Sequence, residues 1–484
     1  MIVLLVAIAL VAAACSTQSE PATTTSTTSD ILTSAPAPAT TAGSLPVTTL
    51  QDLPVEDAAI LREANTLLVV PTEEQVAIVA AAMAATGDDG WVPFLVDLLR
   101  TFGFGDSLRQ LETALETLTG VPISAGPGGA YRTYGAWMYR EEPMPVAGYI
   151  GWKARLFGLI DPAFGPLIES VDDPVLASQL QWGGVRRGGI PELNDAPTIT
   201  VVEADYMTPG ELTFGAVIND EIRSYPHRIL DHHELANDTL GGEPVALANC
   251  TLCRTGVLFS RIVDGRVLDF QTSGLLRNSN KVMVDVQTDS LWNQLTGEAI
   301  AGPLEGTVLE RFPVTVTTYG EWIAEHPTSD VVAVPGLGVE LPQGVIGAPY
   351  SYEPGDAYAD YYASDDLWFP VAEVPDVFSA KALVATVDLD GEQLAVGIEE
   401  LAAAGPQLLE IAGTAIVVVE TSGGARVYDT AGSAVAVSDV DPAAAGEESL
   451  VLSDGTELPR VQSGHSFWFA WYVNFPDTET WPTG

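Results

Sequence analysis

Two stretches of this chain overlay on one another, and that repetition constrains the fold more than any other feature. Asn219-Asp220-Glu221 matches Asp390-Gly391-Glu392. With no gap, Gly242-Glu243-Pro244-Val245-Ala246-Leu247 then falls on Gly413-Thr414-Ala415-Ile416-Val417-Val418. Val257-Leu258-Phe259 meets Arg426-Val427-Tyr428 once the later stretch is taken as two residues shorter, and the shortening falls on Cys250-Thr251-Leu252-Cys253. Around these matches run short β-branched and aromatic segments broken by Gly, Asp and Asn: 198–202, 215–218, 244–248, 257–262 and 267–270, with a second series over 382–437. The reading is a mainly β domain built from two copies of one β-unit, at about 198–275 and 380–440.

Upstream the period changes from two to about 3.6. Thr72 with Gln75 reads as a capping box before 76–85, with Gly87 as the stop. Trp91–Phe102 reads as a helix. Leu108, Leu111, Leu115 and Leu118 share one helical face and end at Gly120. A further helical stretch over 130–168 is interrupted near Pro143 and Pro145. Its aromatic stripe, Tyr131, Tyr134, Trp137, Tyr139 and Trp152, is expected to be core. Residues 51–180 are thus an all-helical domain, and the fold class is α+β.

Ile2 to Ala14 is an unbroken apolar run. It is too short for a bilayer span, which needs about 20 residues, and suits the core of a secretory signal peptide. Cys15 follows the small residues Ala12-Ala13-Ala14, as in a bacterial lipobox, so Cys15 is the expected lipidation site and 1–15 the leader. Residues 16–50 are rich in Ser, Thr and Pro and cannot bury enough surface to offset chain entropy, which makes them a disordered linker. The expectation is an exported envelope protein held to a membrane through its N-terminal lipid alone. Acidic residues outnumber basic ones 65 to 20, for a net charge of −45, which disfavours nucleic acid and anionic lipid head groups as partners.

The earlier β-series carries what the later one lacks. Where it has a histidine-bearing turn and Cys250-x-x-Cys253, the later series has Leu401-Ala402-Ala403-Ala404 and Thr421-Ser422-Gly423-Gly424. The later series needs neither sulfur nor imidazole to form its strands, so chemistry is expected on the first. Cys250, Cys253, His233 and Met283 make a soft ligand set, suited to copper and also to zinc. His227, His232 and Asp285 are secondary candidates. The alternatives are a thiol–disulfide redox pair, with its thiol activated by Arg254 or a histidine, or a passive structural disulfide in an oxidising compartment. A cysteine nucleophile with His233 and Glu234 as base is a third reading. No phosphate loop, dinucleotide glycine fingerprint, zinc-protease helix or nucleophile elbow is present, so no reaction is assigned. His326 reads as a helix-end residue, and His465 has no assigned role.

Tyr225-Pro226, Arg228-Ile229-Leu230, His233-Glu234, Asn237-Asp238, Cys250-x-x-Cys253, Ser273-Gly274-Leu275-Leu276, Asn278-Ser279-Asn280, Met283-x-Asp285, Ser290-Leu291-Trp292 and the tail Phe467–Trp471 together resemble the bacterial family DUF3179. The resemblance covers roughly 190–477. The family is named for having no assigned activity, so the resemblance implies a shared fold and no reaction. His232 stands where the family pattern carries an aromatic residue, which ranks it below His233.

Overall fold

The computed structural model describes residues 54–69, 71–123, 129–335, 352–353 and 357–483. The expected leader, Cys15 and the 16–50 linker lie outside the described residues. A helical N-terminal region is followed by a mainly β domain. Among the described residues no helix is long and apolar enough to cross a membrane.

The helical region holds α1 (Val55–Thr66), α2 (Glu73–Thr86), α3 (Val92–Phe102), α4 (Gly105–Thr119), α5 (Gly129–Glu141), α6 (Tyr149–Gly158), α7 (Phe164–Glu169) and α8 (Pro174–Gln179). Local chemistry sets several ends. The Thr72 hydroxyl accepts from the Gln75 amide at 3.2 Å, which satisfies one of the free N–H groups that start α2. Gly120 closes α4 in the left-handed region, φ 68°, where a side chain would be strained. The aromatic stripe is core: Tyr131, Tyr134, Trp137, Tyr139 and Trp152 are all buried. Each such large side chain contributes roughly 1.5–3 kcal/mol of transfer free energy.

The chain then forms β1 (Gln181–Trp182), β2 (Leu193–Asn194), β3 (Thr198–Thr200), β4 (Leu212–Ile218), β5 (Glu221–Pro226), α9 (His227–His233), β6 (Leu235–Leu240), β7 (Glu243–Cys250) and β8 (Thr255–Ser260). After β9 (Ile262–Val263), β10 (Arg266–Val267), β11 (Phe270–Arg277), β12 (Asn280–Asp285), β13 (Leu291–Asn293) and β14 (Ala299–Ala301) come β15 (Arg311–Phe312), β16 (Thr315–Thr318), α10 (Tyr319–Glu325) and β17 (Asp330–Val332). His326 caps the end of α10, as its position before Pro327 indicates. The rest is α11 (Ala359–Tyr362), β18 (Leu383–Leu389), β19 (Glu392–Gly397), α12 (Ile398–Ala404), β20 (Gln407–Ile411), β21 (Thr414–Thr421), β22 (Gly424–Asp429), β23 (Ser449–Val451), β24 (Glu457–Val461), β25 (Ser463–Phe467), α13 (Trp468–Tyr472) and β26 (Glu479–Trp481).

The same pairing scheme occurs in both halves. A hairpin, β4–β5 or β18–β19, leads into a short helix and then a three-stranded meander, β6–β7–β8 or β20–β21–β22. Each hairpin takes a later antiparallel strand on one side, β16 or β25, and a parallel strand on the other, β17 or β26. The meanders are extended antiparallel by β15 and β24. The sequence matches fall on the turns that fix the registers. Asn219-Asp220 and Asp390-Gly391 both have positive φ at two successive residues, as do Gly241-Gly242 and Ala412-Gly413. Two-residue turns of this kind match the twist of an antiparallel pair. The first half differs by its Cys250–Cys253 loop and by β11–β14 inserted before β15.

The inserted strands form a sheet in the order β1-β11-β12-β13-β14. Its Leu275, Val282, Val284, Leu291 and Ala301 share one hydrophobic core with the helices. Within that core sits an ion pair. Lys153 Nζ donates to Asp97 Oδ1 at 3.1 Å, Tyr149 donates to Asp97 Oδ2 at 2.6 Å, and all three residues are buried. Burial pushes the Asp97 carboxyl up and the Lys153 ammonium down, each opposed by the partner's charge. Removing one partner leaves the other charge buried and unpaired. Asp97→Leu should therefore destabilise the full chain by about 3–5 kcal/mol, while Asp97→Leu with Lys153→Met recovers most of that loss. Urea unfolding followed by tryptophan fluorescence measures this. A single variant no worse than the double one would show that the pair contributes nothing.

Candidate functional site

β7 ends at Cys250, a single turn covers Thr251–Cys253, and Arg254 lies in the left-handed region, φ 51°, before β8 begins. Cys250 pairs across the hairpin with Thr255. The turn brings the two sulfurs together as a disulfide. Both cysteines are buried, at 2% and 0% exposure. Asn280 Nδ2 donates to Cys253 Sγ at 3.1 Å and to Gln294 Oε1 at 3.3 Å. Gln294 Nε2 in turn donates to the carbonyls of Ala248 (2.8 Å) and Thr255 (3.3 Å), one on each strand of the hairpin. The inserted sheet thus clamps the loop from below. Tyr361 and Tyr362 of α11 cover it, donating to the carbonyls of Leu252 (3.1 Å) and Thr251 (2.9 Å).

Beside the loop lies a buried carboxylate. Glu234 ends α9 in the left-handed region, φ 57°, where a non-glycine residue carries strain. Its Oε2 accepts from Lys281 Nζ at 2.8 Å, and its Oε1 accepts from Thr251 Oγ1 at 3.0 Å and Tyr358 Oη at 3.3 Å. Burial lowers the Lys281 ammonium, against the pull of the Glu234 charge. The pair joins α9, the cysteine loop, β12 and the chain just before α11.

The remaining candidates have other contacts. His233 is fully buried; its Nδ1 lies 2.7 Å from the Pro191 carbonyl, which can only accept. Nδ1 therefore carries the proton, and Nε2 accepts from Tyr352 Oη at 2.5 Å. His232 sets its ring edge-on to Tyr352, centroids 5.4 Å apart. His227 opens α9 and stacks on Phe214 at 4.0 Å. Met283 is buried in a core with Phe270 and Trp292, distinct from the cluster that holds both cysteines. Three steps of extended strand carry it from Asn280, about 10 Å of rise. Asp285 accepts from Thr288 N (2.6 Å), Thr288 Oγ1 (2.7 Å), Ser290 N (3.2 Å) and Trp292 Nε1 (3.0 Å), so it organises its own turn. The structure thus joins Cys250 to Cys253 and adds Asn280, Glu234 and Lys281. Among the described residues, no three His, Cys, Asp or Glu side chains gather in a metal-holding group.

Lys281, Gln294 and Tyr358 were not singled out from the sequence. The available signal was Lys281: a lysine inside an apolar strand, in a chain with only 20 basic residues.

A family model described as "Protein of unknown function (DUF3179)" matches residues 187–478, more than half the chain, and the chain belongs to that family. No curated protein and no solved structure matches it.

The His233 geometry has a measurable sign. Burial above all, opposed by the Pro191 hydrogen bond, lowers its pKa from 6.5 to about 4. The folded state therefore favours the neutral ring. Its contribution is fully present above about pH 6.5 and is lost as the pH falls toward 4. In that window one proton taken up only by the unfolded chain costs about 1.4 kcal/mol per pH unit. Urea midpoints measured from pH 7 to pH 4.5 should fall less steeply for His233→Gln than for the parent; equal slopes would refute the assignment.

Proposed function

We propose that this member of the DUF3179 family is an exported, lipid-anchored module of the cell envelope, whose Cys250–Cys253 pair is a structural disulfide. The observation that supports the reading is the placement of the two sulfurs: one turn sets them against each other, and both are buried. A redox pair needs a sulfur that an incoming thiolate can reach, and neither is exposed. A copper or zinc site built on these sulfurs would require their reduction, release of His233 from Pro191 and Tyr352, and a shift of Met283 out of its own core. The body then consists of two copies of one β-unit. The first copy is set apart by a cross-linked loop that presents Arg254. The matching hairpin pairings in the two halves support this account of the architecture.

Peptide mapping without reductant should find Cys250 and Cys253 linked, with copper and zinc at background in protein purified without chelator. Free thiols with stoichiometric metal would overturn the reading in favour of a soft-metal site. By loop-closure entropy, Cys250→Ser with Cys253→Ser should lower stability by about 2 kcal/mol. The anchor is read separately. The mature N-terminus isolated from membranes should begin at Cys15 and carry lipid, and Cys15→Ser should release the protein into the soluble fraction. An unmodified Cys15 on a membrane-bound chain would sink the anchor.

A further inference from the structure

The meander of the first half is finished by a strand that the second half lacks among the described residues. β2 lies parallel along the outer edge of β6, with Leu193 against Ala236 and Asn194 against Asn237. The Asp195 amide then donates to the Asn237 carbonyl at 2.8 Å, so the main-chain groups of Asn237 face outward, away from β7. Leu193 is buried in the core beneath that meander. Covered in this way, Asn237 is 1% exposed. The matched turns put Leu408 of β20 in the same place: Asn237 opposes Ala246 on β7, and Leu408 opposes Val417 on β21. Among the described residues β20 has β21 on one side and no strand on the other. Leu408 is 42% exposed.

Such an edge is a template for a further strand, and chains commonly blunt it with lysine, proline or a bulge. β20 has none of these. Gln407-Leu408-Leu409-Glu410-Ile411 pairs with β21 in unbroken register. Leu409 and Ile411 belong to the core of the second half, while Leu408 and Glu410 are exposed. By the alternation of an antiparallel pair, the amides of Leu408 and Glu410 both point to the open edge. Glu392 closes the end of the strand, its Oε2 accepting from the Ala412 amide at 2.9 Å. From Leu383 to Val461 the only basic residues are Arg426 and Arg460. Arg426 pairs with Glu325, and Arg460 lies over the Tyr428 ring. The edge is therefore acidic. Residues 1–53 and 336–351 hold no Lys or Arg, so those segments bring it no positive charge. A second copy, with its own net charge of −45, brings repulsion.

We propose that the open edge of β20 takes up an extended, basic segment of a partner protein as an added strand. Main-chain hydrogen bonds to Leu408 and Glu410 supply affinity, and alternate side chains supply selectivity. Apolar residues on the inner face extend the core beside Leu409, as Leu193 does in the first half. Lysine or arginine on the outer face stands across from Glu410, where opposite charges attract. Strand addition here depends on neither the disulfide nor the lipid anchor, so the failure of either leaves it standing.

The test uses the full chain and a short end-capped peptide that alternates lysine with valine. Binding is followed by fluorescence anisotropy at about 0.15 M salt, where distant charges are screened. Amide hydrogen exchange locates it. The peptide should bind saturably and slow exchange at Leu408 and Glu410. The same peptide N-methylated at every residue keeps its charge but cannot form a ladder, and should bind about tenfold more weakly or worse. Leu408→Pro removes one outward donor, which an edge strand tolerates, and should weaken binding by a similar factor. No saturable binding, equal binding of the N-methylated peptide, or protection that falls elsewhere overturns the proposal. So does protection of β20 by self-association of the chain alone. If Leu408→Pro fails to fold, the comparison of the two peptides on the parent chain still decides.

Discussion

The ion pair between Glu234 and Lys281 holds together the part of the molecule that its chemistry depends on. It joins residues 47 apart in sequence and buries both charges. The pair alone would barely offset the cost of desolvating two charges. What makes it sustainable is its surroundings: Thr251 and Tyr358 fill the remaining carboxylate positions, and the Glu234 carbonyl accepts from the Asn249 amide. The cysteine loop, β12 and the chain just before α11 meet at this one carboxylate at the end of α9. The positive φ at Glu234 is the local cost of aiming it inward.

The fold was legible in the sequence wherever local chemistry decides structure. Thr72 and Gly120 announced helix ends because caps act within one turn of chain. Asn219-Asp220 and Asp390-Gly391, matched in sequence, both fall on hairpin turns, where few residues tolerate two successive positive φ values. His326 read as a helix end, and it is one. The strands that complete each hairpin sheet, β16 and β17 or β25 and β26, were not legible. They arrive from about 100 residues away or less, and nothing in their own composition names a partner.

The candidate site divides the same way. Cys250 and Cys253 were legible as a pair from their spacing. Met283 was grouped with them because it lies in the same rich stretch, but an extended strand carries it into a different core. His233 looked like a ligand, yet the Pro191 carbonyl and the Tyr352 hydroxyl already occupy its two nitrogens, and both partners are distant in sequence. His465 carried no signal at all. Its Nε2 lies against the amide and the carbonyl of Ala425, contacts made by tertiary packing 40 residues away in sequence.

The core shared between the helices and the inserted sheet makes the N-terminal region integral, not an appendage. β12 is a two-sided board: Val282 and Val284 face the helices, while Lys281 reaches the Glu234 carboxylate on the other side. Stripping the helices away would bare a contiguous apolar surface on the very sheet that steadies the disulfide loop, the kind of surface that drives self-association in water. Any trimmed form of this protein would need a replacement roof over that sheet before its β-domain could stay soluble.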